Sequence, residues 1–283
     1  MLSLLIAATL AFSTEDADFA WKFANELVEQ HTPRDAGTFG GQRAADFIFD
    51  VASRNCGCAG WCDFRAPSPS GEKSFRNVYA EFSRHPDEEW TVVVSHYDTK
   101  PGSGCPGAND GASTSALLEA LTRKLASCEF EYGNVLIIWT DGEECELHYS
   151  NNDGLQGSIH AAERLLKSGR KVKNIICLDM LGDCDLRISI PANSTERLAQ
   201  TVLKAAEAIG EPKLVEKSED IVKDDHLPFL ARGMDAIDLI DFEYGKGNVY
   251  WHTPEDSMKR ISKESLLKSG RLVCETLNQL LKK

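Results

Sequence analysis

The sequence has few basic residues for its length. Its 283 residues include 31 Lys and Arg against 44 Asp and Glu, which gives a formal net charge of −13. Such a chain has no basic face for a phosphate backbone, and an anionic membrane surface would repel it. The composition therefore argues against nucleic acid and against a bare membrane surface as partners.

Long apolar runs are also lacking. The run from Leu2 to Phe12 is too short to span a membrane, so we expect no stable membrane span. It ends near small residues, as the apolar part of a signal peptide does, although no Lys or Arg precedes it. We expect a signal peptide over residues 1–14 and a secreted or periplasmic protein. An apolar N-terminal helix is the alternative.

Internal repeats and long low-complexity tracts are absent from the sequence. One linker-like stretch, Arg65 to Lys73, is short enough to be a surface loop. With 42% apolar residues the chain can bury a large core. We therefore expect a single domain over residues 15–283; its oligomeric state is not predicted.

The nine cysteines suit an oxidising compartment, and their odd number leaves one without an internal partner. Cys56, Cys58 and Cys62 crowd into CGCAGWC, which lacks the paired C-x-x-C spacing of a structural zinc site. We interpret this segment as a disulfide-tied loop, with reduced buried thiols as the alternative. Cys177 lies in an apolar run and is predicted to be a small core residue.

Apolar periodicity predicts the fold class. Phe75 to Phe82 and Trp90 to Ser95 have the pattern of two strands joined as a hairpin by SRHPDEE. Strands and helices then alternate: a helix from Ala112 to about Leu125, the strand NVLIIWT, a helix near Ser158 to Leu166, the strands NIICLD and LRISI, a helix from Ser194 to Ile209, the strand AIDLID and a helix from Lys263 to Leu281. This order predicts an α/β fold, a three-layer α/β/α sandwich with a mixed, mostly parallel central sheet.

Several common catalytic motifs are missing. The chain has no G-x-S-x-G, no H-E-x-x-H and no Gly-rich phosphate loop after a strand. Ser95 and His96 are neighbours on a strand and point to opposite faces, so they do not form a nucleophile pair. His31, His85 and His160 have no acidic or cysteine neighbours at ligand spacing, and we predict that they lie on the surface.

Polar residues, in contrast, follow the buried strand runs directly, where ligands bind in open α/β sheets. These residues are His96 and Asp98 after TVVV, Asp141, Glu143 and Glu144 after VLIIWT, Asp179 and Asp183 after IICL, and His252 in YWHTPED. Carboxylates that converge at one edge repel each other unless a cation compensates them. Together with two imidazoles they form a ligand set that suits zinc, with cobalt or manganese as alternatives.

Asp110 directly precedes Gly111 and a helix, so capping that helix is an alternative to a ligand role. Glu143 and Glu144 are adjacent and point in different directions. One of them can bind a metal while the other moves protons.

The segments SHYDTK, GANDGAS, DGEE, LDMLGD and WHTPED, in this order, resemble those of peptidase family M28 and of the glutaminyl-peptide cyclotransferases that share its fold. The resemblance runs from about Asn77 to the C-terminus. It implies a zinc-exopeptidase-like fold, a zinc cofactor and the N-termini of peptides or proteins as substrates.

Carried over by position, the resemblance implies that Asp110, Glu144 and His252 bind one metal. His96 and Asp179 would complete a second site with Asp110. Glu143 is similar to the general acid and base of both branches, and Asp98 to a carboxylate that orients His96.

Three further segments resemble the cyclotransferase branch. The loop CELHYSNNDGLQGS is as long as the one in animal cyclases, and VKDDHLPFLARG is similar to the segment whose first aspartate, here Asp224, joins a proton network with Glu143 and Asp179. Trp251 lies where a tryptophan walls the glutamine pocket, and Tyr149 where a second tryptophan is found. Ordinary packing is the alternative for both aromatics.

The sequence also departs from the animal cyclases. Asp238 replaces a pocket histidine and is expected to bind substrate at that position, and Ser95 and Ser115 replace a cysteine pair. The resemblance nevertheless implies a cyclotransferase with one zinc. The alternatives are an aminopeptidase with two zincs, which uses the same residues, and a non-catalytic binding module, which usually loses its ligands.

Overall fold

A computed structural model describes residues 9–128 and 133–282, in which eight strands form one sheet. The strands are β1 (Ala59–Ser68), β2 (Gly71–Ser83), β3 (Trp90–His96), β4 (Asn134–Thr140), β5 (Val172–Asp179), β6 (Ile188–Ile190), β7 (Val215–Lys217) and β8 (Ala236–Ile240). Their order across the sheet is β1-β2-β4-β3-β5-β8-β6-β7. The four central strands β4, β3, β5 and β8 are parallel, whereas β1, β2 and β6 pair antiparallel with a neighbour. The sheet is therefore mixed, as predicted.

Helices cover both faces of the sheet. They are α1 (Thr14–His31), α2 (Phe39–Asn55), α3 (Thr114–Ser127), α4 (Gln156–Ser168), α5 (Glu196–Ala208), α6 (Leu227–Leu230) and α7 (Lys263–Leu280). Alternate strand residues belong to different cores: Val93 packs with α1, α2, α3, α5 and α7, while Val92 and Val94 pack with α4 and α6. This alternation follows from the period of two along a strand. The three-layer α/β/α sandwich is confirmed.

The predicted hairpin between Phe75–Phe82 and Trp90–Ser95 is wrong. β4 lies between β2 and β3, antiparallel to β2 and parallel to β3. Every residue of β3 is buried, which suits a strand with a parallel neighbour on each side. The observed hairpin joins β1 to β2, and its strands include most of the segment from Arg65 to Lys73. The surface loop predicted there is therefore wrong as well.

All nine cysteines fall in the described ranges, and all are thiols. Cys56 is the residue after α2, and Cys62 lies in β1. Four residues of nearly extended chain place Cys58 and Cys62 about 13 Å apart, beyond the ~7 Å that a disulfide spans. Cys56, Cys58 and Cys62 are all free in the structure, the first buried and the other two half-buried, which fits the alternative of reduced thiols better than a disulfide-tied loop. Cys177 is buried in β5, as predicted.

Most of the predicted signal peptide, residues 1–8, lies outside the described residues, and the signal peptide stays a prediction. Leu10 and Phe12 are buried in the main core, and the Asn278 side chain binds both the N–H and the carbonyl of Leu10 at 2.8 and 2.9 Å. A Cβ on Gly270 would lie 2.4 Å from the Phe12 ring, so only glycine admits this packing. In the part of the chain that the structure describes, no helix is long and apolar enough to cross a membrane.

Candidate active site

The predicted site residues meet at the carboxyl ends of the parallel strands. His96 is the last residue of β3, Asp179 is the last of β5, and Glu143 and Glu144 follow β4 within four residues. Because parallel strands end at the same edge of the sheet, residues distant in sequence become neighbours there. His252 comes from the long connection between β8 and α7.

Asp110 comes from an irregular turn before α3. The turn Ala108–Ser113 has π-helical hydrogen bonding, and Asp110 within it has a non-helical backbone. Gly111 follows with φ +91, and a Cβ there would lie 3.0 Å from Cε1 of His96. The helix itself begins at Thr114. Capping α3 is therefore not the role of Asp110, whose side chain instead contacts two histidines.

One group of possible metal ligands consists of Asp110, Glu144 and His252. Nε2 of His252 lies 2.9 Å from Oε1 of Glu144 and 3.3 Å from Oδ2 of Asp110. Oδ2 of Asp110 and Oε2 of Glu144 are buried and make no hydrogen bond. His252 has φ +57, a conformation that costs a non-glycine residue about 1–3 kcal/mol and is typical of functional sites.

A second group shares Asp110. Nε2 of His96 lies 3.1 Å from Oδ1 of Asp110 and 3.2 Å from Oδ1 of Asp179. In each group the three ligand atoms lie within 4.8 Å of one another. Asp110 therefore joins the two groups through its two oxygens.

The pKa values of these residues reflect their crowding. Burial and the nearby Asp110 raise the pKa of Glu144 to about 7, and burial, despite the His96 hydrogen bond, raises that of Asp179 to about 8. Burial opposes the charged form of His252, but Asp110 and Glu144 raise its pKa to about 9. A bound cation would relieve the repulsion among these carboxylates. The residues therefore fit a divalent metal ion.

Asp98 supports the ligands through the backbone. Its two oxygens accept the N–H groups of Glu143 and Glu144, each at 3.2 Å. Its Oδ1 also lies 3.5 Å from Nδ1 of His96. One buried carboxylate thus positions the paired glutamates and faces the histidine, in line with the expected orienting role.

Three residues near the site were not predicted. Asp256 accepts the N–H groups of Asn109 and Asp110, and Arg34 donates to the carbonyls of Pro106 and Gly107, so together they hold the turn that carries Asp110. Nζ of Lys100 lies 3.6 Å from Oε2 of Glu144. Asp256 and Lys100 fall inside segments already singled out, WHTPED and SHYDTK, whereas no sequence signal marks Arg34.

A cavity of about 220 Å³ opens beside the ligands. The Trp251 ring stacks on the His252 ring at 3.8 Å between centroids, and Phe242 packs edge-on against Trp251 at 5.0 Å. The Tyr149 hydroxyl donates a hydrogen bond of 2.9 Å to Oε1 of Glu143. The cavity is thus a small aromatic-walled space with a carboxyl group on one side.

Asp224 lines this cavity together with Glu143 and Asp179, and its buried Oδ2 makes no hydrogen bond. Asp238, predicted to bind substrate, is completely buried and is not part of the cavity wall. It lies behind Asp224, with which it and Cys177 form a third group of close potential ligand atoms. The predicted place of Asp238 in the substrate pocket is therefore wrong, because this residue of β8 has its side chain in the interior.

The fold and the ligand groups define a class of metal-binding α/β enzymes. Peptidase family M28 matches residues 77–277, so the chain belongs to this family. It is 32% identical over 209 residues to the aminopeptidase YwaD of Bacillus subtilis, an alignment that covers 71% of this chain and 42% of that protein.

Other similar proteins are glutaminyl cyclases. The chain is 24% identical over 215 residues to the glutaminyl-peptide cyclotransferase of Drosophila melanogaster, covering 66% of this chain and 60% of that one. It superimposes on the crystal structure of an Acidobacteriales bacterium glutaminyl cyclase with a TM-score of 0.90, at 29% identity and with 99% and 98% of the two chains covered. The chain thus spans less than two thirds of the length of the peptidase and of the fly enzyme, but nearly all of the bacterial cyclase.

Proposed function

We propose that this protein is a zinc-dependent glutaminyl-peptide cyclotransferase, which converts the N-terminal glutamine of peptides or proteins to pyroglutamate and releases ammonia. The observation that carries the proposal is the position of Asp224, which lines the same cavity as Glu143 and Asp179. The full-length similarity to a bacterial glutaminyl cyclase supports the same choice.

Asp110, Glu144 and His252 would hold one zinc ion, a set of nitrogen and oxygen donors of the kind that zinc accepts. When bound, the ion supplies Lewis acidity toward the γ-carbonyl of the substrate. The position of the cavity directly beside these three residues suits a substrate carbonyl.

Glu143 moves the proton in this mechanism. Burial and the neighbouring Glu144 raise its pKa well above the ordinary value for glutamate, which makes it a stronger proton acceptor than an exposed carboxylate. It takes the proton of the attacking α-amine and returns it to the departing nitrogen. Asp179 and Asp224 line the same cavity and hold the substrate's α-amine and the Glu143 carboxyl in position. The Tyr149 hydroxyl orients Oε1 of Glu143.

The size of the cavity suits one side chain. At about 220 Å³ it is smaller than the pockets that take drug-sized ligands, about 300–1,000 Å³. Trp251 provides a flat apolar wall for the methylene groups of glutamine. Because the attacking amine belongs to the same residue as the amide, binding in a folded conformation brings the reacting atoms together without a water nucleophile.

An aminopeptidase is the second candidate. Two complete ligand groups share Asp110, which is the arrangement that two metal ions require. In that reaction Glu143 would take a proton from water instead of from an amine. The presence of both groups also argues against a non-catalytic binding module.

The experiment compares two peptides that differ in their first residue. The zinc-loaded protein is given one peptide that begins with glutamine and one that begins with leucine. We expect ammonia and a pyroglutamyl peptide from the first, no cleavage of the second, and loss of the reaction with a chelator. Release of free glutamine or leucine would show the aminopeptidase instead, and zinc analysis, one ion or two per chain, provides an independent count.

A variant separates the two chemistries further. Asp224→Asn should lower the rate of cyclisation on the order of a hundredfold, because the carboxyl network loses a member. Cyclisation at the wild-type rate would remove the observation on which the proposal rests.

The secreted or periplasmic location rested on the apolar N-terminal run and on the cysteine count. Because all nine cysteines are thiols, only the first support remains. N-terminal sequencing of the protein recovered outside its cells would test this prediction.

A further inference from the structure

A second cavity, of about 280 Å³, lies between strands β1, β2 and β4 and helix α4. Its polar wall includes Cys62 from β1 and His160 from α4, and Leu136 and Ile138 of β4 form an apolar floor. None of its lining residues belongs to the cavity at the metal ligands. The proposed cyclase chemistry makes no use of it.

Cys62 and His160 form a thiol–imidazole pair. Sγ of Cys62 lies 3.5 Å from Nε2 of His160, and both side chains are half-buried. The His160 ring stacks on Phe64 at 4.2 Å between centroids and 9° between planes, which holds Nε2 toward the thiol. His160 thus lies at a cavity on the surface, with a cysteine neighbour from a distant segment. The two residues are 98 positions apart, so no spacing in the sequence indicates the contact.

The environment of the imidazole favours its neutral form, in which one ring nitrogen can accept a proton. Burial, together with the positive charges of Arg164 and Lys167, lowers the pKa of His160 below its ordinary value, with Glu163 opposing. A neutral ring has a free lone pair on one nitrogen, and in the tautomer protonated at Nδ1 this nitrogen is Nε2, which faces the thiol. The thiolate that results from proton transfer is the reactive form of cysteine.

The cavity carries an excess of positive charge in a strongly acidic protein. Arg170 is paired with Glu81 at 2.7 Å, which cancels both charges. Arg164 lies over the Tyr79 ring at 5.7 Å, and no carboxylate among the described residues forms an ion pair with it. One guanidinium therefore remains available to an anionic group bound in the cavity.

We propose that Cys62 is a covalent modification site that takes small anionic disulfides. The thiol proton passes to Nε2 of His160, and the Cys62 thiolate attacks one sulfur of the incoming disulfide. The S–S bond of the reagent breaks as a new S–S bond forms to Cys62, and the departing thiolate recovers the proton from His160. The disulfide reagent is itself the oxidant: Cys62 is oxidised, the departing half leaves reduced as a thiol, and Arg164 binds a carboxylate of the retained half.

The chain contains its own reference thiol. Cys184 is exposed, and burial of part of its surface together with the neighbouring Asp183 raises its pKa. Exposure therefore favours reaction at Cys184, whereas His160, which lies 3.5 Å from the Cys62 sulfur, favours reaction at Cys62. The native protein is treated with oxidised glutathione, and sites are located by peptide fragmentation, which also separates Cys62 from Cys58. We expect Cys62 to be modified first. Faster modification of Cys184 or Cys58, or no reaction at Cys62, would overturn the proposal.

Two variants test the roles of the neighbours. His160→Gln should slow the reaction of Cys62 on the order of tenfold, because the proton acceptor is lost. The matched control is His85→Gln, in an exposed histidine elsewhere, and it should react at the wild-type rate. Arg164→Gln should slow oxidised glutathione but not cystamine, a cationic disulfide.

The same measurements can contradict the proposal. An unchanged rate in His160→Gln would leave Cys62 an ordinary thiol, and faster reaction with cystamine than with oxidised glutathione in the native protein would exclude an anionic preference. Thermal unfolding and conversion of the glutamine peptide, compared with the native protein, identify any variant that has simply lost its fold.

Discussion

Glu143 combines a fixed backbone with an unusual electrostatic environment. Its N–H binds Asp98, its Oε1 accepts from Tyr149, and its carboxyl belongs to neither group of ligand atoms. The paired glutamates therefore divide their roles: Glu144 faces the metal position, and Glu143 faces the cavity. This division was expected from their adjacency, since neighbouring side chains diverge.

The division leads to a prediction for Glu143→Gln. Glutamine keeps the shape of the side chain but cannot exchange a proton, so kcat should fall about 10²- to 10⁴-fold. Zinc content should stay at the wild-type level, measured by metal analysis of the purified protein. Glu264→Gln, an exposed change in α7, is the control and should alter neither quantity. Loss of zinc from Glu143→Gln would instead make this residue a ligand.

At the scale of elements, α3 connects the site to the core. The irregular turn before it carries Asp110, and the helix is almost entirely buried. Glu119 lies in the middle of this helix with no exposed surface. Burial, only partly offset by the Asn55 amide, raises its pKa well above the ordinary value of 4.5.

This burial makes stability depend on pH. In the unfolded chain Glu119 ionises above its ordinary pKa, while in the folded protein it keeps its proton to a higher pH. Between the unfolded and the folded pKa of Glu119, the unfolded state therefore binds fewer protons than the folded state. The free energy of unfolding falls as pH rises through this range, by about 1.4 kcal/mol per pH unit. The contribution of protonated Glu119 to stability is fully present only below the pKa that this residue has in the unfolded chain.

Glu119→Gln should remove this loss of stability at high pH. We expect the variant to be more stable than the native protein at about pH 8, with a smaller difference at about pH 5, in urea unfolding with zinc present throughout. Glu207→Gln, at an exposed position of α5, should show no such trend. A difference that shrank toward high pH would contradict a protonated Glu119.

At the scale of the whole molecule, the N-terminal segment closes the main core. Phe12 packs on Gly270 of α7, and Leu10 is bound by Asn278 of the same helix. In the chain that begins at Met1, Phe12→Ala should lower the free energy of unfolding by about 3–5 kcal/mol, the usual cost of removing a buried phenylalanine. Phe39→Ala, where the ring is 77% exposed, is the control. Equal effects of the two changes in denaturant unfolding would show that the segment is not part of the folded core.

The sequence by itself determined the fold class and most of the ligand residues. Buried strand runs followed by polar residues indicate where parallel strands end, because the pattern is local and each segment carries its own signal. His96, Glu143, Glu144 and Asp179 lie where this pattern predicted, at one edge of the sheet, and Asp110, which only the resemblance indicated, joins them there. Several helix ends were accurate to within two residues for the same reason, as in α5 and α7.

Only the tertiary structure decided which elements are neighbours. The insertion of β4 between β2 and β3, the buried position of Asp238 and the support of Asp110 by Arg34 and Asp256 depend on contacts between distant segments. The contact of Cys62 with His160 is of the same kind. Side-chain periodicity shows which face of an element is buried but not what covers it. That choice is made when all the elements pack at once, which is why the sequence indicated most of the residues that gather at the site but not their surroundings.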